Sequence, residues 1–450
     1  VPMYDIDRIE VVKGPAALLF GQASSTGGIV NYVSKQPSEK PASSLKATVG
    51  SYDLYGLEAN TTGPLGSLGN YRATAAVYDA KGARKFEHTK DRFFSVGFAR
   101  KLSPTTLLSA YFSYNHIDEI QSALTVDSRG QLVNVPDDFS FYEPWVEYPH
   151  ASQYALVSLK TSITPTLQAN LVLNYTREDS YGWPSIRLTP TNVTTGLTPR
   201  TLISTDTKPL GSGVSGNVLI DFLQTFHTGP LSHKLTFGTM LITTEAASRV
   251  DSKRLPALNI YNPVYNTPKP VVVYGMVVPG EGTPAVTETK GNQDSYYIQD
   301  NITMLSGKLI LVGGLRWNRY DTITRDAVPR TTVAFDDSKL IGRWGAVYKP
   351  VSFVSLYYNY SESFVFSTAT FLGGPRTGQI FDPSVGKNYE VGIKSETSNG
   401  MLFGSISAFD LSLTNVAFTF VLPDGSSGRD QQGKEKNKGY EFDVGLNLKS

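Results

Sequence analysis

The feature that most constrains this chain is a two-residue alternation of apolar and polar side chains, repeated in segments of about ten residues from Ser43 onward. In LQANLVLNYT, Leu167, Ala169, Leu171, Leu173 and Tyr175 share one face. Gln168, Asn170, Asn174 and Thr176 share the other, and only Val172 breaks the rule. In LLSAYFSYNH, Leu108, Ala110, Phe112 and Tyr114 oppose Ser109, Ser113 and Asn115, with Tyr111 on the polar side. In YEFDVGLNL, Tyr440, Phe442, Val444, Leu446 and Leu448 oppose Glu441, Asp443, Gly445 and Asn447. A face carrying Glu and Asp cannot be a dry core, so these strands are read with one wet and one greasy side. The greasy side ends in aromatics, as at Tyr358 and Tyr360 after Val354 and Leu356, where a membrane interface would place them.

A soluble β-sandwich or propeller also alternates, but its strands average five or six residues and its outward face is the polar one. Connection lengths separate the two readings. Short turns rich in Pro, Gly and Ser at 103–106, 164–166, 306–307, 349–352 and 398–400 alternate with long linkers at 117–149, 178–212, 246–290, 363–385 and 414–436. Strict alternation puts every long loop on one side, the pattern of an antiparallel transmembrane β-barrel with short periplasmic turns and long extracellular loops. About sixteen strands are expected on this basis, the last near 437–448. The fold class is all-β.

Composition agrees with that architecture and excludes others. Charged residues are 18% and the net charge is +1, so no excess of either sign points to nucleic acid. Cysteine is absent, leaving neither disulfides nor soft metal ligands. The most apolar stretch, KLILVGGLRW, is broken by two glycines and an arginine and is far short of the roughly 20 residues of a spanning helix. The 25 Tyr and 22 Phe against 5 Met suit aromatic-belted strands. His88, His116, His150, His227 and His233 are scattered with no paired ligand spacing, and no GxSxG elbow occurs, so neither direct metal coordination nor hydrolysis is expected.

Residues 1–37 read differently. Ile6, Ile9, Val11 and Val12 make a short strand that Gly14-Pro15 ends; a helical turn through Leu18 and Leu19 follows, then Gly27-Gly28 turns the chain into a second strand. GQASSTGG lacks the lysine of a phosphate loop and the glycine spacing of a dinucleotide site.

IDRIEVVKGPAALLFGQASSTGGIVNYVSKQP resembles the second half of the plug domain of TonB-dependent outer-membrane receptors, in particular the ferric-siderophore branch. Later stretches are similar to the same branch: DSYYIQDNI, GGLRWNRYD, WGAVYKPVSFVSLYYNYSESF, KNYEVGIKSE and KGYEFDV. The resemblance implies a barrel of about 22 strands filled by a plug. On that scheme residues 1–42 are the later part of a plug and 43–450 an incomplete barrel, with the first plug half and about six strands outside this sequence. It implies a monomer in outer-membrane lipid of a Gram-negative cell that imports a ferric siderophore with energy from TonB of the TonB–ExbB–ExbD complex. It implies no catalysis and no cofactor of the protein's own, iron arriving inside the chelator.

The same resemblance assigns residues. The FGQ loop corresponds to the ligand-facing plug apex, which points to Gly21 and Gln22. Family plugs are latched to the wall by ion pairs, which here would join Lys13 and Arg8 to Glu390 and Glu441; the alternation independently turns both glutamates inward. Lysine at position 13, where arginine is common in this motif, cannot form a bidentate fork, which weakens such a latch. From composition alone, the aromatic cluster Phe139, Phe141, Tyr142, Trp145 and Tyr148, with Tyr181 and Trp183 in the next loop, offers rings for an apolar-sided ligand pocket. Interface anchoring explains single rings equally well. Competing readings are a plugged transporter for a cobalamin or glycan, a passive 16-stranded porin, and an outer-membrane enzyme or adhesin. A porin predicts no plug, and an enzyme or adhesin needs a catalytic cluster or a repeat array, neither of which is seen.

Overall fold

The structure, a computed structural model, describes residues 3–13, 28–120, 124–180, 183–206, 213–270, 285–327, 330–367, 369–397, 401–423 and 427–447. Two strands near the start, β1 (Ile6–Lys13) and β2 (Gly28–Ser34), pair antiparallel as a small separate sheet. This matches the two strands expected there; the helical turn expected through Leu18 and Leu19 lies outside the described residues.

Everything after them is one large antiparallel sheet. Its first strands are β3 (Ala42–Gly50), β4 (Leu54–Pro64), β5 (Asn70–Lys81), β6 (His88–Ser103), β7 (Thr106–Ile120), β8 (Pro149–Ser162) and β9 (Leu167–Ser180). Next come β10 (Trp183–Leu188), β11 (Leu197–Asp206), β12 (Gly213–Thr228), β13 (Leu231–Asn259) and β14 (Ala285–Met304). The remainder are β15 (Leu309–Ala327), β16 (Arg330–Val351), β17 (Val354–Val365), β18 (Ser384–Glu396), β19 (Leu402–Val421) and β20 (Ser427–Leu446). Of its eighteen strands among the described residues, β10 and β11 form a side hairpin, leaving sixteen in the wall, as the alternation predicted. β9 skips that hairpin to pair with β12, Asn170 opposite Asp221 and Leu173 opposite Val218.

Burial follows parity. Tyr440, Phe442, Val444 and Leu446 are among the most exposed apolar side chains, 88% for Tyr440, with Leu173, Tyr175, Phe112, Ile298 and Leu315 exposed on the same outer face. Apolar area on this scale is stable only against lipid. The other face carries Asn170, Asp221, Arg316 and Asn318. The outer face has an aromatic line where Trp344 stacks on Tyr360 at 3.9 Å and Tyr360 leans on Tyr389 at 4.8 Å.

One long linker proves to be largely strand, and another is strand at both its ends. The span 414–436 is mostly the continued β19–β20 hairpin, Thr414 opposite Lys434 through Val421 opposite Ser427. Likewise β13 runs on to Asn259 and pairs with β14 up to Val250 opposite Ala285. Beyond the lipid band both faces meet water, so pairing persists while the apolar alternation that signals it disappears.

Candidate functional site: a wall-bound hairpin and an outer cap

The β1–β2 hairpin rests against the polar face of β6 and β7 through neutral donors on carboxylates. The Tyr4 hydroxyl donates to Asp91 Oδ2 at 2.9 Å, and its ring lies 5.5 Å from that of Phe93. In the reverse sense the Tyr111 hydroxyl donates to Asp5. Asp5 and Asp91 are both buried, and the Asn115 amide, oriented to donate, reaches Asp91 Oδ1 at 2.7 Å. Lys35 clamps the same two residues from β2's side, its Nζ donating to the Tyr4 carbonyl at 3.1 Å and its backbone N–H to the Asp5 carbonyl at 2.8 Å. Burial, and then the Asp91 charge, push the Tyr4 phenol up, so it stays a donor at any physiological pH. Beside this contact a cavity of about 1000 Å³ separates the hairpin from the wall, with Tyr32, Tyr111, His150, Tyr154 and Glu178 on its lining.

The expected ion-pair latch takes another form. Arg8 is spent within its own strand, on Glu10 at 2.8 Å and Asp7 at 3.3 Å, and all three are exposed. Glu390 accepts the Tyr357 hydroxyl at 2.5 Å, and Glu441 lies on β20's inner row. The hairpin meets β6 and β7, whereas these glutamates stand on β18 and β20, so Arg8 is not brought to them. The Lys13 side chain, and Gly21 and Gln22 entirely, lie outside the described residues.

At the opposite end from the short turns, three connections fuse into one cap. The β7–β8 loop, the β10–β11 hairpin and the far end of β13 with the residues after it share two apolar interiors. One gathers Ile120, Tyr142, Val146, Ile186, Leu202 and Leu255; the other gathers Val133, Phe139, Phe141, Leu258 and Ile260. β11 pairs along β13 from Asp206 opposite Arg249 to Leu197 opposite Asn259, which extends the sheet into the cap. At its centre Arg200 NH2 meets Glu143 Oε1 at 2.8 Å with both side chains at 1% exposure or less. Arg200 also donates to the carbonyls of Pro256 at 3.0 Å and Phe141 at 3.3 Å and to Thr267 Oγ1 at 3.3 Å. Trp145 Nε1 donates to the Thr267 carbonyl at 2.7 Å, and the Tyr265 hydroxyl to the Ser140 carbonyl at 2.8 Å.

The aromatic cluster therefore has a different placement from the one its composition suggested. Phe139, Phe141 and Tyr142 are buried, and Trp145 and Tyr148 pack against the interior that holds Tyr142. Desolvation by burial, with Tyr142 alongside, pushes the Tyr148 phenol up. Phe139, Phe141 and Tyr142 thus lie in the cap's interiors, with Trp145 and Tyr148 partly buried at their edge. Tyr181 and the Trp183 side chain lie outside the described residues. Arg200, Glu143, Tyr4, Asp5, Asp91 and Tyr111 escaped the sequence reading because each is meaningful only through a partner 57 to 106 residues away. The sole local hint was polar Tyr111 standing on the wet face. Among the described residues no group of three His, Asp or Glu side chains could hold a metal ion.

Comparison with known proteins places this geometry. A family model described as TonB dependent receptor-like, beta-barrel, matches residues 108–449. The metal-pseudopaline receptor CntO of Pseudomonas aeruginosa (strain UCBPP-PA14) is 26% identical over 97% of this chain and 60% of its own length. The ferrichrome outer membrane transporter/phage receptor of Escherichia coli K12 is 25% identical over 98% of this chain and 60% of its own. The chain thus spans about 60% of the length of these relatives. Among solved structures, the P. aeruginosa receptor FpvA bound to iron and a heterologous pyoverdine superposes with a TM-score of 0.82 at 21% identity, covering 99% of this chain and 59% of FpvA.

Proposed function

The chain belongs to the TonB-dependent receptor-like β-barrel family, and from that premise we propose that the protein it represents imports ferric-siderophore complexes across the bacterial outer membrane with energy from the TonB–ExbB–ExbD complex. The observation that carries this reading is the β1–β2 hairpin bound to the wet face of the wall by Tyr4 and Asp5. A passive pore has no use for a unit lodged inside it, whereas a receptor for scarce, bulky ligands needs an occluded lumen. Similarity to receptors for ferrichrome, pyoverdines and ferrioxamine B supports the ligand class.

On this reading residues 1–42 belong to the plug and 43–450 to the barrel, which acts as a monomer in outer-membrane lipid. Gly21 and Gln22 stand at the ligand-facing apex, where glycine allows close backbone approach and the amide supplies a donor and an acceptor. No bond of the ligand is made or broken, and iron travels inside its chelator, so the protein carries no cofactor of its own. A second reading, favoured by similarity to CntO, replaces ferric iron by another chelated transition metal.

The test is radiolabelled iron accumulation by iron-starved deletion cells complemented with the full-length gene, across a panel of defined siderophores. Accumulation restored for at least one chelate, and abolished by a protonophore, is expected. Equal accumulation with and without the gene on every chelate, or uptake indifferent to the protonophore, would overturn the proposal. Restored uptake of a labelled zinc or nickel chelate alone would select the second reading.

A further inference from the structure

The turn between β5 and β6 belongs to neither interior of the cap among the described residues, yet it is fastened to the cap. The Lys85 backbone N–H donates to the Asp138 carbonyl at 2.9 Å, and Lys85 Nζ meets Asp138 Oδ2 at 3.2 Å. The Phe86 ring stands edge-on to Tyr265 with centroids 5.0 Å apart, and Tyr265 packs on the interior around Phe139 and Phe141. Phe86 holds a φ of 70°. A bulky side chain is disfavoured in that region and stays there only while its surroundings over-determine it. Take away the Tyr265 edge and the Asp138 carbonyl, and Phe86 relaxes to negative φ, so the turn has two discrete arrangements. From Phe86 the chain runs directly to the seat of the β1–β2 hairpin. His88 sets Nδ1 3.2 Å from the Phe86 carbonyl and Nε2 3.3 Å from Asp118 Oδ2, while Asp118 Oδ1 accepts the Tyr148 backbone N–H at 3.0 Å. Asp91 comes three residues later and accepts the Tyr4 hydroxyl, and Phe93 stands against the Tyr4 ring. Over this stretch β6 is paired on both sides, His88 opposite Lys81 and Ile120, Asp91 opposite Tyr78 and Ile117. A strand with both ladders made moves as a unit, so a displacement at Phe86 is delivered to Asp91 roughly 17 Å along.

We propose that Phe86 is a positioning residue whose strained turn ties the arrangement of the outer cap to the grip of Asp91 on Tyr4, so that loosening the cap loosens the hairpin inside the wall, and the reverse. The turn is the two-state element, and both ends bias it: Asp138 and Tyr265 from the cap, and the seat of Tyr4 on β6 from the hairpin. This coupling belongs to the folded wall and holds whatever the receptor carries.

The experiment is hydrogen–deuterium exchange on the full-length receptor without ligand. Phe86→Gly removes the ring and tolerates the positive φ, and Tyr265→Leu removes the edge contact while keeping apolar bulk. Each is expected to raise exchange at residues 3–13 and 28–34 by about fivefold, although Phe86 stands five residues from Asp91. The double variant raises it no further than either single one, because both remove the same fastening. Phe86→Tyr keeps the ring and holds exchange at the wild-type value. In the other direction Tyr4→Phe raises exchange at 82–88, since coupling between two sites is reciprocal. Heat-modifiable migration and unchanged exchange in β12–β16 confirm that each variant is a folded barrel. Wild-type exchange in the hairpin of both cap-side variants while 137–148 and 256–267 loosen, additive effects in the double variant, or no response of 82–88 to Tyr4→Phe would each overturn the proposal. The readout involves no ligand and no uptake, so it stands or fails apart from the import reading.

Discussion

At the scale of single residues the structure relies on a few polar contacts that are far apart in sequence. Arg200 and Glu143 face each other inside the cap at 2.8 Å with almost no exposure. Glu143→Gln leaves a buried guanidinium without its counter-charge and is expected to destabilise the cap by about 3 to 5 kcal/mol. Hydrogen–deuterium exchange checks this: protection falls in 137–148 and 256–267 and holds in the barrel strands. Pairing Glu143→Leu with Arg200→Met is expected to recover most of the loss, since an apolar pair removes both desolvated charges. The hairpin contact makes a parallel case. Tyr111→Phe strips the hydroxyl that Asp5 accepts and leaves a buried carboxylate, which costs about 1.5 to 3 kcal/mol. Faster exchange at residues 3–13 is the expected readout in the full-length receptor; unchanged exchange would show that Lys35 and Tyr4 suffice. None of these pairs was legible in the sequence. Alternation says which way Glu390, Glu441 and Tyr111 point, and it did so correctly. It cannot say which distant side chain meets them, which is why an ion pair from Arg8 was expected where the hairpin instead presents Tyr4 and Asp5.

At the scale of elements, legibility follows the membrane. Inside the lipid band each strand must be greasy on one side, so sixteen wall strands and their short turns could be read directly. Outside it that demand lapses, and the upper parts of β13, β19 and β20 looked like loops although they are hydrogen-bonded strands. The β10–β11 hairpin was hidden for the same reason. One turn carries visible strain. Between β14 and β15, Leu305 and Ser306 adopt φ of 53° and 54°, ahead of Gly307 at 88°. Leu305 is 62% exposed, so Leu305→Asn gives up little burial while placing a residue that tolerates the left-handed region. It is expected to stabilise the barrel by about 1 kcal/mol, seen as a higher midpoint for loss of heat-modifiable migration.

At the scale of the whole molecule the fold is an inversion of a soluble protein, with rings outside and charge within. That arrangement can be measured through its four tryptophans. Trp317 and Trp344 are outward and 37% and 48% exposed, whereas Trp145 is packed in the cap with its Nε1 on Thr267. In single-tryptophan variants of the full-length receptor reconstituted with brominated lipids, strong quenching is expected for the first two and little for Trp145. Comparable quenching of Trp145 would place the cap at the membrane surface instead of above it. The cap has one more consequence, and it concerns how such a protein can change over generations. Its three connections arise from β7–β8, β10–β11 and the end of β13, and they share their interiors and the Arg200 hydrogen bonds. A solitary loop can lengthen or drift without asking its neighbours. These cannot: an insertion in one displaces the packing of the other two, so the outer surface is inherited as a block. New ligand preferences would then arise by exchange of all three segments together, or through the connections that stand outside the cap.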